Sequence, residues 1–390
     1  MNILYISPIK ITTDKGESTH FLEVGRDLEK MGHNLLMICR SEGGTYGELS
    51  IKKIPDIEIK YFATIILDLF ITVYLSYYLL RFKPDVLYYR GVIFGGVLSH
   101  ILKIPSTAEA NGIYPDEVKA ERPRFFRIVG PILKLREWLI YLSAKRIICV
   151  TEGIKRELIK TYGIRNDRCK VVSNGVNTNL FQPLDKMTCR KRAGFDEDYF
   201  YAGFVGSFRS WQGLDTLIKA INIVRKQGYE KIRFILVGNG DPLEQFKEMV
   251  KAYGLGKETI FTGRVKYEEV PILINCFDVC LAPFKKERNA KIGLSPLKLY
   301  EYLACGRPVI TSRVEGVRKV VEDGNCGYLF EPDDIEGLGS KIIESYNQRD
   351  RLREFGNNGR ALMVASFSWE KIVMRVEGVL REAISVSSGN

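Results

Sequence analysis

The chain has 390 residues, 45% hydrophobic and 27% charged, which leaves room for two or three cores and excludes intrinsic disorder. Its eight cysteines (39, 149, 169, 189, 276, 280, 305 and 326) are scattered without a CxxC pair, which argues against a disulfide framework or structural zinc and for a reducing cytosol. The formal net charge is +11, and residues 119–170 carry fourteen basic against five acidic side chains, an excess that points to an anionic partner or to a solvated Lys-rich surface.

In chain order, the N-terminal Met-Asn-Ile-Leu-Tyr-Ile-Ser is a short apolar run without a basic leader and reads as a first strand, not a signal peptide. Strands are expected at 2–6, 35–39, 86–89, 106–108, 146–150 and 170–172, with helical periodicities between them. Phe21, Val24, Leu28 and Met31 recur at helical spacing and stop at Gly32-His33, which places His33 in a helix–strand turn. This alternation predicts a doubly wound α/β domain with a mostly parallel sheet. Residues 61–80 hold one charge, Asp68, and are long enough to span a bilayer. Their polar residues Thr64, Asp68, Thr72 and Ser76 step by four along one narrow face, and Asp68 at mid-bilayer would cost about 3 kcal/mol. The segment therefore reads as an amphipathic or nearly buried helix, with contact to lipid left open.

Around 180–200 the pattern lapses into Phe181-Gln-Pro183 and a polar stretch, expected as an interdomain connection; Asp196-Glu-Asp198 within it mimics an acidic metal motif on a linker surface. A second alternating series follows, with strands at 200–205, 233–237, 260–262, 279–282, 308–311 and 328–330. Leu214, Leu217, Ile218, Ile221 and Val224 mark one helical face, and an amphipathic helix near 369–383 precedes a frayed tail. Two α/β domains in tandem suggest a ligand bound between the carboxyl ends of their sheets.

The segment from Gly293 to Pro308 is the most informative. Ser295 suits an N-cap, Pro296 the first helical position, and Gly306 the end of the helix. Lys298 then falls in the first turn, where the helix dipole disfavours a cation unless an anion sits there; Glu301 lies on the same face, suited to sugar hydroxyls. A capped amphipathic helix with an i,i+3 ion pair is the plain alternative. Two Gly-bearing strand-to-helix loops, Val205-Gly206 to Gly213 and Val237-Gly238-Asn-Gly240, add backbone that can approach a diphosphate, with Arg209 as a bidentate donor.

These motifs resemble the donor-binding domain of retaining GT-B glycosyltransferases (family 4, group 1 type). The matching pieces are 204–213, 235–241, Phe261-Thr-Gly263-Arg-Val265, 277–283 and 295–310, with Val150-Thr-Glu-Gly and Val172-Ser-Asn174-Gly175 upstream. The resemblance implies an α/β GT-B fold, two doubly wound Rossmann-like domains facing each other across a cleft. Domain 1–185 would be the acceptor side, with helix 368–385 packing back on it, and 186–367 the donor side. It implies that Glu301 binds the ribose and that Gly206 and Gly238 lie beside the diphosphate. Arg264-Val265 would hold the base, and Leu294, Ser295, Pro296 and Leu297 would offer amides. The loop around Gly16 would close over the donor, while Glu109 and Asn111 face the reacting centre.

Departures accompany the match. Gly293 stands where the family usually has the first of two glutamates, and Ser207 and Gln212 stand where it has the diphosphate Arg and Lys. Arg209 and Lys298 are the candidate replacements, and His20 is a candidate for the acceptor or donor. The expected activity is sugar transfer from a nucleotide-diphosphate sugar to an acceptor hydroxyl with retention, without a metal or other cofactor, in cell-surface glycan, polysaccharide or glycolipid synthesis. The acceptor would be a glycan or a lipid-linked molecule, and the enzyme cytoplasmic or peripheral on an anionic membrane through 119–170, with no nucleic acid bound. Arg122, Arg124 and Arg127 around Phe125-Phe126, with Lys134 and Arg136 before Trp138 and Tyr141, are the residues expected to meet that membrane. A catalytically silent nucleotide-sugar-binding partner and a sugar-nucleotide epimerase on the same architecture are the alternatives.

Overall fold

The computed structural model describes residues 1–11, 16–41, 49, 51–54 and 63–388. The chain divides into two compact units, Met1–Asn174 with Trp369–Asn390, and Gly175–Ser368.

The first unit is built on a seven-stranded parallel sheet. Its strands are β1 (Asn2–Ile11), β2 (Asn34–Ser41), β3 (Ile51–Lys53), β4 (Val86–Arg90), β5 (Ser106–Ala110), β6 (Arg146–Cys149) and β7 (Cys169–Val171), in the order β3-β2-β1-β4-β5-β6-β7. Ile3, Leu4, Tyr5 and Ile6 are all fully buried, as a strand covered by helices on both faces requires. The edge strand β3 is absent from the expected set. Its Ile-Lys-Lys is short and mostly exposed, and lysines are what protects such an edge from pairing with another chain.

The Trp369–Ser388 helix belongs to this unit although 194 residues of the other unit precede it. It buries Trp369, Ile372, Val373, Val376, Leu380 and Ala383 at helical spacing. Its polar ties are Glu377 Oε1 to His33 Nε2 (3.1 Å) and Glu382 Oε2 to Arg146 Nε (3.2 Å) and Lys170 Nζ (2.9 Å). The turn histidine His33 is thus a tether for that helix.

The Ala63–Phe82 helix corrects the reading of 61–80, of which 61–62 lie outside the described residues. It buries Asp68, Ile71, Leu75 and Leu79 but exposes Leu69, Val73, Tyr77 and Leu80, so it is apolar on both sides and neither amphipathic nor nearly buried. Thr72 and Ser76 turn back to donate to the carbonyls four residues earlier, at 2.6 and 2.8 Å. Asp68 accepts from Arg136 Nε and Nη2, both at 3.0 Å, on the Pro123–Tyr141 helix. Among the described residues, no helix is long and apolar enough to cross a membrane.

The second unit carries a six-stranded parallel sheet of β8 (Phe200–Val205), β9 (Ile232–Val237), β10 (Thr259–Gly263), β11 (Val279–Ala282), β12 (Val309–Ser312) and β13 (Gly327–Phe330), in the order β10-β9-β8-β11-β12-β13. The Leu214–Lys226 helix buries the expected face, Leu214, Leu217, Ile218, Ile221 and Val224. Two boundaries move. Val176 and Phe181 pack in the second unit's core and Val176 bridges to Ser368, so the division falls after Asn174 and not at 185. The polar stretch from 186 is not a linker but opens with the Lys186–Ala193 helix, N-capped by Asp185 and held by Lys186 and Arg190 on Asp278 (2.7 and 2.6 Å).

Candidate functional site

In the second unit the glycine loops and the 293–308 segment converge at the carboxyl ends of β8 and β9. The amide of Gly206 donates to Val237 O (3.0 Å), and that of Gly238 to Gly263 O (2.9 Å), linking three strand ends in a row. A Cβ on Gly238 would collide with the carbonyl oxygen of Gly206, and one on Gly206 would meet Lys298 Nζ at 2.6 Å. Close backbone approach is therefore the reason for glycine at 238, while at 206 the reason is a φ of +147°, which side chains rarely adopt. Arg264 and Val265 continue from the end of β10, Arg264 exposed and Val265 half-buried against the core.

Lys298 projects from the Leu297–Ala304 helix into this knot. Its Nζ donates to Gln212 Oε1 at 2.8 Å and lies 3.8 Å from the centre of the Phe204 ring. Glu301, one turn on, accepts from Tyr267 Oη at 3.2 Å. Both ionisable groups are buried. Burial brings the Lys298 ammonium down to about 7, with Glu301 opposing; burial pushes the Glu301 carboxyl up to about 7 against the Tyr267 hydrogen bond and the Lys298 charge. A buried cation without a buried counter-anion at bonding distance is poised for an anion from solution.

The helix start differs from expectation by one position. Pro296 is the N-cap, without a side-chain acceptor, and Leu297 is the first helical residue. Ser295 Oγ lies instead 3.0 Å from Tyr300 Oη. Pro296 offers the first-turn amides no side-chain acceptor, and the Leu299 amide donates to Pro296 O (3.1 Å), so the helix start itself presents backbone N–H groups of the kind that bind anions. Gly293 has φ +67°, and a Cβ there would meet Glu315 O at 2.9 Å and Glu315 Cβ at 3.4 Å. Leu294, next to it, donates its amide to that same carbonyl (2.9 Å). Ser207 and Arg209 are exposed on the loop after β8, the Arg209 guanidinium 5.9 Å from the Trp211 ring centre.

The first unit gathers a second polar cluster at the carboxyl end of its own sheet. Glu109, on β5 in register with Arg90 of β4, is fully buried; Tyr88 Oη donates to its Oε2, and His20 Nε2 lies 2.8 Å from its Oε1. Burial alone would raise the Glu109 carboxyl, but the charge and hydrogen bond of His20, with Arg90 and Tyr88, outweigh it and bring the carboxyl to about 2. Tyr5 stacks on Tyr88 at 4.3 Å, and burial beside Glu109 pushes both phenols well up. His20 Nδ1 lies 2.9 Å from Asn174 Oδ1, and its ring meets Trp369 edge-on at 5.2 Å. Asn111 Oδ1 and Arg90 Nη1 are buried without a hydrogen-bond partner, polar atoms left open at the sheet end where α/β folds take ligands. Gly16 opens the Gly16–Lys30 helix; residues 12–15 of its loop lie outside the described residues.

Tyr88, Tyr267 and Glu315 were not singled out from the sequence, and Asn174 appeared there only as part of the Val172-Ser-Asn174-Gly175 match. Tyr88 and Tyr89 occupy opposite faces of one strand, Tyr89 donating to Ile140 O (2.6 Å), and only the fold tells which reaches the carboxylate. Among the described residues, no three His, Cys, Asp or Glu side chains come together to hold a metal.

Two family models match the chain, Glycosyltransferase Family 4 over residues 15–180 and Glycosyl transferases group 1 over 185–362. An uncharacterized glycosyltransferase of Methanocaldococcus jannaschii is 29% identical over 62% of this chain, and a D-inositol 3-phosphate glycosyltransferase of Acidothermus cellulolyticus is 24% identical over 76%. The matched region spans 60% and 63% of the length of those relatives. Among solved structures, the sucrose-phosphate synthase of Thermosynechococcus elongatus superposes with a TM-score of 0.81 at 19% identity, covering 99% of both chains. HepE of Anabaena in complex with UDP-glucose superposes at 0.77 and 18% identity, covering 98% of this chain and all of that one.

Proposed function

We propose that this chain, which belongs to the group 1 and family 4 glycosyltransferases on the GT-B fold, moves a sugar from a nucleotide-diphosphate sugar to an acceptor hydroxyl with retained anomeric configuration. The observation that carries this reading is the knot of Gly206, Gly238, Gln212 and Lys298 beside the start of the Leu297–Ala304 helix. It joins close-approach backbone, an anion-seeking helix end and a cation, which is what a diphosphate needs. Glu301 offers a carboxylate to the ribose hydroxyls, and Arg264 and Val265 border the base.

During transfer the bond from the anomeric carbon to the diphosphate oxygen breaks and the leaving oxygens gain negative charge. Lys298, Arg209 and the first helical amides, with Leu294 and Ser295 beside them, stabilise that charge. The acceptor oxygen forms the new bond, and its proton departs with the diphosphate. Glu109, acidified to about 2 and buried between His20 and Tyr88, is a weak base that does not remove that proton; it fixes the His20 ring, and Asn111, whose Oδ1 has no partner, meets the acceptor. These cations take the place of a metal, so chelators leave turnover unchanged. The acceptor is a glycan or a lipid-linked molecule of cell-surface glycan, polysaccharide or glycolipid synthesis. Gly293 favours one other reading, a silent nucleotide-sugar-binding partner.

Calorimetry with UDP, GDP and ADP identifies the nucleotide. Mass spectrometry after incubation with the corresponding sugar donors and NMR of the product linkage then test turnover and retention. Binding without turnover supports the silent partner, and an epimerised donor supports the epimerase; either outcome sinks the transferase reading.

A further inference from the structure

We propose that the outward faces of the Ala63–Phe82 and Pro123–Tyr141 helices form one platform that lays the first unit on an anionic phospholipid bilayer. This deepens the reading above, on which it rests only for the nature of the acceptor.

Each helix is apolar where it should be polar. The Pro123–Tyr141 helix exposes Phe125, Ile128 (79% exposed), Ile132 and Leu135, spaced by three, four and three residues along a single stripe. The Ala63–Phe82 helix exposes Leu69, Val73 (68% exposed), Tyr77 and Leu80, spaced by four, four and three. Both helices also bury apolar residues inward, so a second apolar phase is needed on the outside. The bidentate Arg136–Asp68 pair, both members shielded from water, ties the two helices together, and the helix Gly95–Ile101 packs against both. Two stripes fixed by one clamp make a surface, not two coincidences.

Charge selects the occupant. Arg124, Arg127 and Lys134 are exposed beside the stripe, with Arg122 just before it. Glu137, the acidic residue of that helix, is buried and accepts from Tyr141 Oη at 3.3 Å. Cations flanking an apolar stripe on a helix with no exposed carboxylate match an anionic headgroup layer above acyl chains. A second copy of this chain on a two-fold axis would set the same cations against one another. The sequence grouped Arg136 and Tyr141 with the membrane-facing residues. The structure makes Arg136 the clamp and buries Tyr141, and the apolar work falls to Ile128, Ile132 and the other helix.

The platform also touches the chemistry. Arg136 Nη2 donates to Gly91 O at 3.3 Å, and Gly91 follows Arg90, the register partner of Glu109. Docking through these helices therefore sets the Glu109 cluster close to the membrane surface, where the head of a lipid-linked acceptor would lie.

Co-sedimentation of the full chain with phosphatidylcholine vesicles, with and without roughly 30% phosphatidylglycerol, tests this. Binding should need the anionic lipid and fall about tenfold between low and high salt. The double variants I128S/I132S and V73S/L80S should each lower it roughly tenfold, and R124S/R127S should lower it and flatten the salt dependence. Far-ultraviolet circular dichroism and the thermal unfolding of each variant, measured without vesicles, should match the unmodified chain and show that the first unit is folded; nucleoside diphosphate affinity, a property of the second unit, should stay within about twofold. The platform is refuted if the unmodified chain stays in the supernatant at low salt, or if the apolar variants bind as well as it does. It is equally refuted if those variants abolish a dimer and the chain binds no vesicle. Loss of nucleotide binding with vesicle binding intact would overturn the transferase reading and leave the platform standing.

Discussion

Nζ of Lys298 donates to Oε1 of Gln212 at 2.8 Å, across 86 residues of chain. The family resemblance puts a diphosphate-binding lysine at position 212. Here the residue at 212 is an amide, and the ammonium bonded to it comes from the Leu297–Ala304 helix.

Lys298→Ala should weaken nucleoside diphosphate binding about 10- to 100-fold, the equivalent of about 1.5–3 kcal/mol for a charge-assisted hydrogen bond. Affinity for the bare nucleoside should not change. Titration calorimetry with both ligands checks it, and equal losses would show that the amine does not face the phosphates.

Donor affinity should follow a bell centred near pH 7. The free Lys298 ammonium sits at about 7 and binding an anion raises it, so affinity falls as pH climbs above 7 and the amine enters the site neutral. Glu301, also at about 7, must be ionised to accept two hydroxyls, so affinity falls below 7 as well. Nucleotide sugars are the right probe because their diphosphate does not titrate there. Lys298→Ala should flatten the alkaline limb and Glu301→Gln the acid one. A profile of the unmodified chain that is level from pH 6 to 8 would remove both assignments.

Glu315→Ala should reduce turnover more than it raises the KM for the donor. The Glu315 side chain starts 3.4 Å from where one on Gly293 would start, which makes it the side chain to test for the sugar contact the family resemblance places at 293. Steady-state kinetics with and without the substitution decide it; unchanged kcat leaves Glu315 as packing for the left-handed turn.

His20→Ala should destabilise the first unit by about 3–5 kcal/mol, because it strands a buried carboxylate. The Glu109 carboxyl is at about 2 in the fold against an ordinary 4.5, so the stability it contributes is complete above about 4.5 and is lost as pH falls toward 2. Thermal unfolding followed from pH 3 to 7 should show acid sensitivity in the unmodified chain that Glu109→Gln largely removes.

How much of this was legible from residues alone depended on distance along the chain. β8 and β11 were placed to the residue because Phe-Tyr-Ala-Gly-Phe-Val and Val-Cys-Leu-Ala are continuous apolar runs between clear breaks. The Lys186–Ala193 helix was not, since Lys-Met-Thr-Cys-Arg-Lys-Arg-Ala has no apolar stripe; it is held by its Asp185 cap and by Asp278, far downstream. Gly206, Gly238, Lys298 and Glu301 could be nominated from local pattern. That Lys298 ends on Gln212, or that Tyr88 rather than Tyr89 serves Glu109, follows only once the strands have an order.

The Trp369–Ser388 helix carries a consequence for biosynthesis. The second unit is continuous in sequence, so it can close its core as soon as it leaves the ribosome. The first unit, although translated earlier, cannot bring β4, β5, β6 and the Gly16–Lys30 helix into their final contacts until that distant helix has emerged. Its nascent sheet therefore waits with an apolar flank open for the whole time the second unit is being made, a natural binding site for a chaperone. Trimming the chain back to Ser368 would make that interval permanent, and the defect would appear as aggregation of the amino-terminal half while the carboxyl-terminal half stayed native.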